Sequence, residues 1–248
     1  MKIISFETKD FELSDFAKAD TYGLDVTLNT ENLSAENVSL VHGFEGITTL
    51  GFSDLRASMI EELARRGIKY IATRTVGFNH IDLTAAKNCG IRVSSSRYEP
   101  YNVADFTVML MLMLLRKAKI SVCRALVNDF SLDGMCGKEM RNLTVGIIGA
   151  GKIGRTVIGN LSGFGCKILY YDPYVPKGSI ASAQDADLDT IYKTCDIISL
   201  HMPLTKDNVH MINADVFAKM KRGALLINTA RGGLVDPQHS PKHSNRDT

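Results

Sequence analysis

The chain has 248 residues, of which 45% are hydrophobic and 23% charged, and its formal net charge is +2. This is ordinary globular composition with room for one large or two small domains, and the small net charge argues against a nucleic-acid or polyanion binder. The five cysteines show no C-x-x-C spacing, which favours structural thiols in a reducing cytoplasm over a disulfide framework. The longest apolar run, 106–115, is too short to span a bilayer, so no membrane segment is expected.

Strand and helix patterns alternate over residues 1–100, which predicts a first domain with a parallel sheet covered by helices on both sides. Short apolar and β-branched runs predict its strands at 2–6, 24–28, 47–50, 70–73 and 91–93. The clearest helix of this region is predicted over 53–66, because apolar residues recur there at helical spacing.

A glycine-containing segment, Arg74 to Leu83, follows the predicted strand 70–73. Ligands of open α/β sheets bind at the carboxyl ends of strands, so the backbone N–H groups of Val76 and Gly77 are candidates to bind a small carboxylate. The alternative is an ordinary turn between strand and helix, with His80 as a cap or in solvent.

Asn102 is predicted to be the N-cap of the next helix, with Asp105 as a box-like partner three residues on. The helix is predicted over 103–119 and is apolar nearly all round, which is typical of a buried helix. We therefore expect it between the domains or in a dimer interface. Tyr98, a polar-tipped aromatic just before it, either touches substrate or packs and bonds to backbone.

The stretch 144–154 carries the most specific signal in the chain. A short apolar run predicts a buried strand, and glycines follow it at G-x-G-x-x-G spacing as a helical pattern begins. Gly149 permits the tight turn, Gly151 lets backbone approach a pyrophosphate, and Gly154 lets helix and strand pack closely. The helix N-terminus offers unpaired N–H groups and the positive end of its dipole to the phosphates.

A second strand is predicted at 167–171 and ends on Asp172. A carboxylate in this position accepts hydrogen bonds from the adenosine ribose hydroxyls and repels a 2′-phosphate, so NAD is favoured over NADP. The alternative is a glycine-rich turn without a ligand. Since strand, glycines, helix and acidic residue fall in one unit of the right length, we predict a dinucleotide site.

Two further strands, 196–200 and 224–227, are predicted to end at the rim of the same crevice. Arg231, just beyond the second, is a natural planar clamp for the carboxylate and carbonyl of a 2-oxo acid; the alternative is a surface ion pair. His201, beyond the first, is expected to line the cofactor pocket or bond to backbone, because no carboxylate partner for proton transfer is evident. Helices are predicted over 188–194 and from a cap at Asn213.

These motifs resemble those of the D-isomer-specific 2-hydroxyacid dehydrogenases, and within that family those of the D-lactate dehydrogenases, including the vancomycin-resistance type. The matching segments are 74–83, 98–105, 144–154, 200–212 and 228–236. The resemblance implies an α/β fold, with a flavodoxin-like substrate domain over 1–100 and a truncated Rossmann domain with a parallel sheet over 101–236. It also implies reversible NADH-dependent reduction of a 2-oxo acid to the D-2-hydroxy acid. Pyruvate is the default substrate, and larger 2-oxo acids such as 2-oxoisocaproate or phenylpyruvate remain open.

The resemblance further implies roles for individual residues. Backbone of Val76 and Gly77 would bind the substrate carboxylate with Tyr98 nearby, and Arg231 would orient and polarise the 2-oxo group. NAD would be bound by residues of the glycine loop and of the later strand ends, namely Gly149, Gly151, Lys152, Ile153, Gly154, Asp172, Met202, Pro203, Asn208, Thr229, Ala230 and Arg231. No metal is implied, and a homodimer is favoured.

The family's catalytic Glu and His would follow Asp236, but the matching pattern stops there. Residues 237–248 contain no large apolar residue and a second proline, which predicts a disordered tail. His239 and His243 are therefore not expected to replace the catalytic histidine. Three interpretations stay open: a dehydrogenase by ancestry that is truncated and catalytically impaired, a non-catalytic NAD-binding module or regulatory partner, and a sequence that ends early by artefact.

Overall fold

The structure, a computed structural model, describes residues 1–97 and 99–238. The chain divides into two compact units, Met1–Tyr98 and Glu99–Thr248. Within the described residues each unit is built around a parallel sheet of five strands. No helix in that part of the chain is long and apolar enough to cross a lipid bilayer. The assignment of substrate binding to 1–100 and of NAD binding to 101–236 stays a prediction.

The first unit has the strand order β2-β1-β3-β4-β5, the flavodoxin-like order that the resemblance implied. All its neighbouring strands run parallel. Its elements in chain order are β1 (Lys2–Ser5), α1 (Leu13–Phe16), β2 (Asp25–Leu28), β3 (Gly46–Thr49), α2 (Ala57–Arg65), β4 (Tyr70–Thr73), α3 (Leu83–Asn88) and β5 (Arg92–Ser95).

The core of the first unit lies on one face of its sheet. There Ile4, Ile47 and Ile71 are buried in one cluster with the inner sides of α2 and α3. The opposite face borders a cavity of about 640 Å³, lined by Phe16 and Tyr70 among others. The prediction that helices cover both faces is therefore met on one face only, because α1, with four residues, is too short to cover the other.

The second unit has the order β10-β9-β6-β7-β8, which is that of a Rossmann domain with β10 at its edge. The predicted α/β class, with a Rossmann sheet, is confirmed. Its elements are α4 (Tyr101–Leu115), α5 (Ala118–Ala125), β6 (Thr144–Ile148), α6 (Lys152–Ser162), β7 (Lys167–Tyr171), β8 (Gln184–Asp185), α7 (Leu188–Thr194), β9 (Ile197–Leu200), α8 (Ala214–Lys219) and β10 (Leu225–Asn228).

Helix α4 differs from its prediction in three ways. It begins at Tyr101 after Pro100, so Asn102 lies inside it, and Asp105 accepts from the Asn160 side chain instead of completing a capping box. It ends at Leu115 instead of continuing to 119, because the following turn contains Lys117 at φ +52°. It is also not buried all round, since the side chains of its outer face are exposed, among them Phe106, Met109, Met113 and Leu114.

Helix α2 begins at Ala57, later than predicted, because Ser53 is engaged elsewhere. Its hydroxyl accepts from the N–H of Leu33 and donates to Glu7. Helix α8 is capped by Asn213 as predicted, with the Asn213 side chain accepting from the N–H of Val216 at 3.2 Å.

Candidate functional site

The turn between β6 and α6 leaves no room for side chains at two of its glycines. Gly149 has φ +96°, and a Cβ there would lie 2.6 Å from the carbonyl oxygen of His201. A Cβ on Gly154 would lie 2.0 Å from the carbonyl oxygen of Gly149. Both distances are shorter than any tolerable contact, so the predicted roles of these glycines in tight turn and close packing agree with the geometry.

The third glycine faces open space. A Cβ on Gly151, the N-cap of α6, would meet no atom within 4 Å. The next two backbone N–H groups, of Lys152 and Ile153, belong to the first turn of the helix and have no intrahelical acceptor. Free space beside unpaired N–H groups at a helix N-terminus fits a pyrophosphate, so this part of the chain can hold a dinucleotide.

Asp172 lies directly after β7 and is tied to the glycine turn. Its Oδ2 accepts from the N–H of Ala150 at 2.8 Å, and its Oδ1 accepts from the N–H of Tyr174 at 2.9 Å. Each carboxylate oxygen can accept a second hydrogen bond. The carboxylate is thereby fixed beside the turn with capacity left for ribose hydroxyls.

The loop after β9 contains three of the residues expected to contact NAD, Met202, Pro203 and Asn208. The Asn208 side chain closes this loop: its Oδ1 accepts from the N–H of Thr205 at 2.7 Å, and its Nδ2 donates to the carbonyl of Pro203 at 2.8 Å. These bonds fix the loop next to the glycine turn. Contact of the three residues with NAD stays a prediction.

His201 precedes that loop and is held by a neighbouring side chain. Its Nε2 lies 2.9 Å from the hydroxyl of Ser199, which is two residues earlier in the chain. Burial lowers the pKa of His201 to about 4. The imidazole is therefore neutral at physiological pH. Its partner is the Ser199 side chain instead of the backbone, and its place in the cofactor pocket stays a prediction.

The loop after β10 is closed by Asn228. Its Oδ1 accepts from the N–H of Ala230 at 3.1 Å, and its Nδ2 donates to the carbonyl of Arg231 at 2.8 Å. The Thr229 hydroxyl lies 3.0 Å from that of Thr107 on α4, which anchors the loop to the helix. Arg231 is half-buried, and its Nη1 donates to the carbonyl of Ala230 at 2.9 Å. The guanidinium is thus oriented by the same loop.

In the first unit, the segment after β4 presents backbone N–H groups. The Thr75 hydroxyl donates to the carbonyl of Gly77 at 2.7 Å and lies 2.7 Å from the Thr73 hydroxyl, which shapes the turn. Across residues 1–97 and 99–238 we find no hydrogen bond from the N–H of Val76 or Gly77. Both amides are therefore available to an external carboxylate.

Arg74, the first residue of this segment, has its hydrogen bonds within the unit. Its guanidinium bonds Glu12 at 2.7 Å and the carbonyl of Phe6 at 2.9 Å, and it lies 5.4 Å from the ring centroid of Phe16. These contacts tie the segment to the N-terminal part of the unit. Arg74 therefore stabilises the loop rather than serving as an anion ligand.

Some predicted residues fall outside the described ranges. Tyr98, His239 and His243 lie there, and so does most of the tail predicted over 237–248. No group of side chains able to hold a metal ion is found in residues 1–97 and 99–238. One buried acid in the described part, Glu7, was not recognised from the sequence, because its partners lie 43–46 residues away.

A strand, a glycine turn, a helix and an acid at the end of the next strand define the second unit as a dinucleotide-binding domain. The comparisons narrow this class. Residues 108–239 match the profile of the D-isomer specific 2-hydroxyacid dehydrogenase family, NAD binding domain.

Individual relatives agree. The chain is 42% identical to the aromatic 2-oxoacid reductase of Clostridium sporogenes over 241 residues, which is 96% of this chain and 73% of the relative. It is 34% identical to D-lactate dehydrogenase of Escherichia coli K12 over 241 residues, 96% of this chain and 73% of that protein. The structure of D-lactate dehydrogenase from Aquifex aeolicus, complexed with NAD and lactic acid, superposes on this chain with a TM-score of 0.86 at 32% sequence identity. The match covers 96% of this chain and 71% of the Aquifex aeolicus chain.

The chain belongs to the D-isomer specific 2-hydroxyacid dehydrogenases, which are NAD-dependent oxidoreductases acting on CH–OH groups.

Proposed function

We propose that this protein is a D-lactate dehydrogenase that converts pyruvate, NADH and a proton into D-lactate and NAD. The observation that carries the proposal is the position of Asp172 beside the glycine turn, where its carboxylate accepts from the N–H of Ala150. A carboxylate in this position favours a free ribose hydroxyl and disfavours a 2′-phosphate, so it supports NAD over NADP. D-lactate dehydrogenases at 34–37% identity support the choice of pyruvate.

Several groups of the second unit would hold the cofactor. The backbone at Gly151, Lys152 and Ile153 would bind the pyrophosphate, and the open space over Gly151 leaves room for it. Asp172 would accept from the adenosine ribose. The loops after β9 and β10 would border the rest, through Met202, Pro203, Asn208, Thr229 and Ala230. When bound, NADH supplies the hydride.

The substrate would be held by backbone amides and by Arg231. The N–H groups of Val76 and Gly77 would bind the carboxylate. The family resemblance also assigns Tyr98, which is outside the described residues, to substrate binding. The Arg231 guanidinium would orient the 2-oxo group and stabilise negative charge that develops on its oxygen. His201 fits poorly as the proton donor, since its pKa of about 4 leaves it unprotonated at physiological pH.

A second substrate class has support of its own. The Clostridium sporogenes relative, at 42% identity, is an aromatic 2-oxoacid reductase. Phenylpyruvate and 2-oxoisocaproate are therefore the competing substrates of the same reaction.

Initial rates of NADH oxidation with pyruvate, 2-oxoisocaproate and phenylpyruvate test the proposal. We expect the highest kcat/KM with pyruvate and the D enantiomer of lactate as the product. A higher kcat/KM with phenylpyruvate would move the assignment to the aromatic 2-oxo acids. NADH binding without turnover of any of the three would contradict the proposed activity and support a non-catalytic NAD-binding module.

We also propose a homodimer in a reducing compartment such as the cytoplasm. The outer face of α4 exposes apolar side chains, including Phe106 and Leu114, each 51% exposed. Contiguous apolar surface of this kind marks interaction sites. The five cysteines, which all lie in the described ranges, are free thiols. Sedimentation analysis should find twice the chain mass, and Leu114→Glu should yield monomer; a monomeric parent would contradict the proposal.

A further inference from the structure

Glu7 occupies an unfavourable environment for a glutamate. Its residue is fully buried, and its backbone has φ +61°, in the left-handed region that side chains other than Gly, Asn and Asp rarely adopt. A buried carboxylate and a left-handed backbone each destabilise a fold unless their surroundings compensate for them.

The hydrogen bonds that compensate for the burial of the Glu7 carboxylate come from one loop, Leu50–Ser53, which follows β3. The N–H of Leu50 donates to Glu7 Oε2 at 2.6 Å, and that of Phe52 donates to the same oxygen at 3.1 Å. The N–H of Ser53 donates to Oε1 at 2.6 Å, and the Ser53 hydroxyl donates to it as well. Burial alone would raise the pKa of Glu7, but these four hydrogen bonds outweigh it and hold the pKa below its usual value.

The Leu50–Ser53 loop in turn packs against the segment after β4. Gly51 has φ +115°, and a Cβ there would lie 3.4 Å from Cε1 of His80 and 3.6 Å from Cγ2 of Thr75. Thr75 is the residue whose hydroxyl bonds the carbonyl of Gly77. The Nε2 of His80 is buried and has no hydrogen-bond partner in the described residues, while the carbonyl of His80 accepts from the N–H of Leu55 at 3.0 Å.

We infer that Glu7 is a positioning residue for the substrate-carboxylate site. Its carboxylate accepts from the N–H groups of the Leu50–Ser53 loop and so holds Gly51 against Thr75 and His80. This contact keeps in place the segment that carries the amides of Val76 and Gly77. The inference rests on the proposed function for the identity of the anion. The mechanical link from Glu7 to the Val76 segment stands without it.

Glu7→Gln is the direct test, because glutamine keeps the size but places N–H groups where the loop also offers donors. Glu62→Gln is the matched control: Glu62 is a partly buried acid of the same unit that pairs with Arg65, the last residue of α2, and with Arg66, which follows it. In Glu7→Gln we expect KM for pyruvate to rise about tenfold with kcat within about twofold, since the site binds ground state and transition state alike. The Kd for NADH should stay within about twofold in both variants.

Amide hydrogen exchange separates this inference from the proposed function. Peptides covering 50–53 and 75–80 should both exchange faster in Glu7→Gln and be unchanged in Glu62→Gln, whether or not the protein turns over pyruvate. Faster exchange at 50–53 with no change at 75–80, or a KM equal to the parent's, would overturn the inference. Should Glu7→Gln fail to fold, Ser53→Ala is the second test, because it removes the hydroxyl that donates to Glu7 and accepts from the N–H of Leu33. It should speed exchange in both peptides; no change at 75–80 would again overturn the inference.

Discussion

The glycine turn after β6 and the segment after β4 each follow an interior strand of a parallel sheet, but different interactions determine their shapes. The glycine turn has three residues between β6 and α6, and helix N-terminal amides follow at once. The segment after β4 runs nine residues, Arg74 to Asp82, before α3 begins. In the first case backbone sterics define the site. In the second case hydrogen bonds shape the segment, some from the side chains of Glu7 and Thr75 and others from backbone groups, such as the N–H of Leu55 to the carbonyl of His80.

This difference decides how each loop responds to change. A turn set by sterics fails when an atom is added at Gly149 or Gly154, because the opposing atoms are backbone and cannot move aside. A loop set by side-chain hydrogen bonds weakens in steps as single bonds are lost. The predictions below separate the two behaviours, beginning with the glycine turn.

Gly154→Ala should have the largest effect. The added Cβ would lie 2.0 Å from the carbonyl oxygen of Gly149, so α6 must move away from β6. We expect a loss of about 3 kcal/mol or more of unfolding free energy and loss of NADH binding. Gly159→Ala is the control in the same helix, where the Cβ would meet no atom within 4 Å, and it should be neutral or stabilising. Equal melting temperatures for the two variants would contradict the steric account.

His201 should make the second unit less stable in acid. Its folded pKa of about 4 lies below the ordinary 6.5, so its contribution is present above pH 6.5 and is lost as the pH falls towards 4. The full effect is at most about 3 kcal/mol. His201→Asn should flatten the fall in unfolding free energy between pH 7 and pH 5, whereas His210→Asn, at an exposed position, should leave it unchanged. A parent slope retained in His201→Asn would show that the imidazole is not held neutral by burial.

Arg231→Lys should reduce kcat/KM for pyruvate about 100-fold, because lysine lacks the planar fork that orients the 2-oxo group. The Kd for NADH should change little. Arg222→Lys, at an exposed position of the same unit, controls for the loss of a guanidinium in general. Stopped-flow NADH titration and steady-state rates measure both quantities; near-normal kcat/KM in Arg231→Lys would exclude Arg231 as the substrate clamp.

The same contrast explains which parts of the fold and of the candidate site could be predicted from the sequence. The glycine turn, Asp172 and the strand preceding each could be recognised, because local sterics and a short spacing specify them. The role of Glu7 could not, since its donors lie 43–46 residues away and meet it only in the folded sheet. The burial of α4 was overestimated for a related reason. An apolar sequence indicates that other protein packs around a helix, but not whether that protein belongs to the same chain. Helix α4 ends early, at Leu115, because Lys117 adopts a left-handed backbone conformation that no local sequence pattern predicts.

The central claim is that the first unit holds the substrate carboxylate and the second holds NAD. A single comparison of Glu7→Gln with Asp172→Ala, each assayed for KM of pyruvate and for Kd of NADH and NADPH, tests it most directly. We expect the preference for NADH over NADPH to narrow about tenfold in Asp172→Ala only, because the carboxylate that repels a 2′-phosphate is gone. The KM of pyruvate at saturating NADH should rise in Glu7→Gln only. Variants that each shift both quantities, or an Asp172→Ala protein that keeps the parent's cofactor preference, would contradict the account.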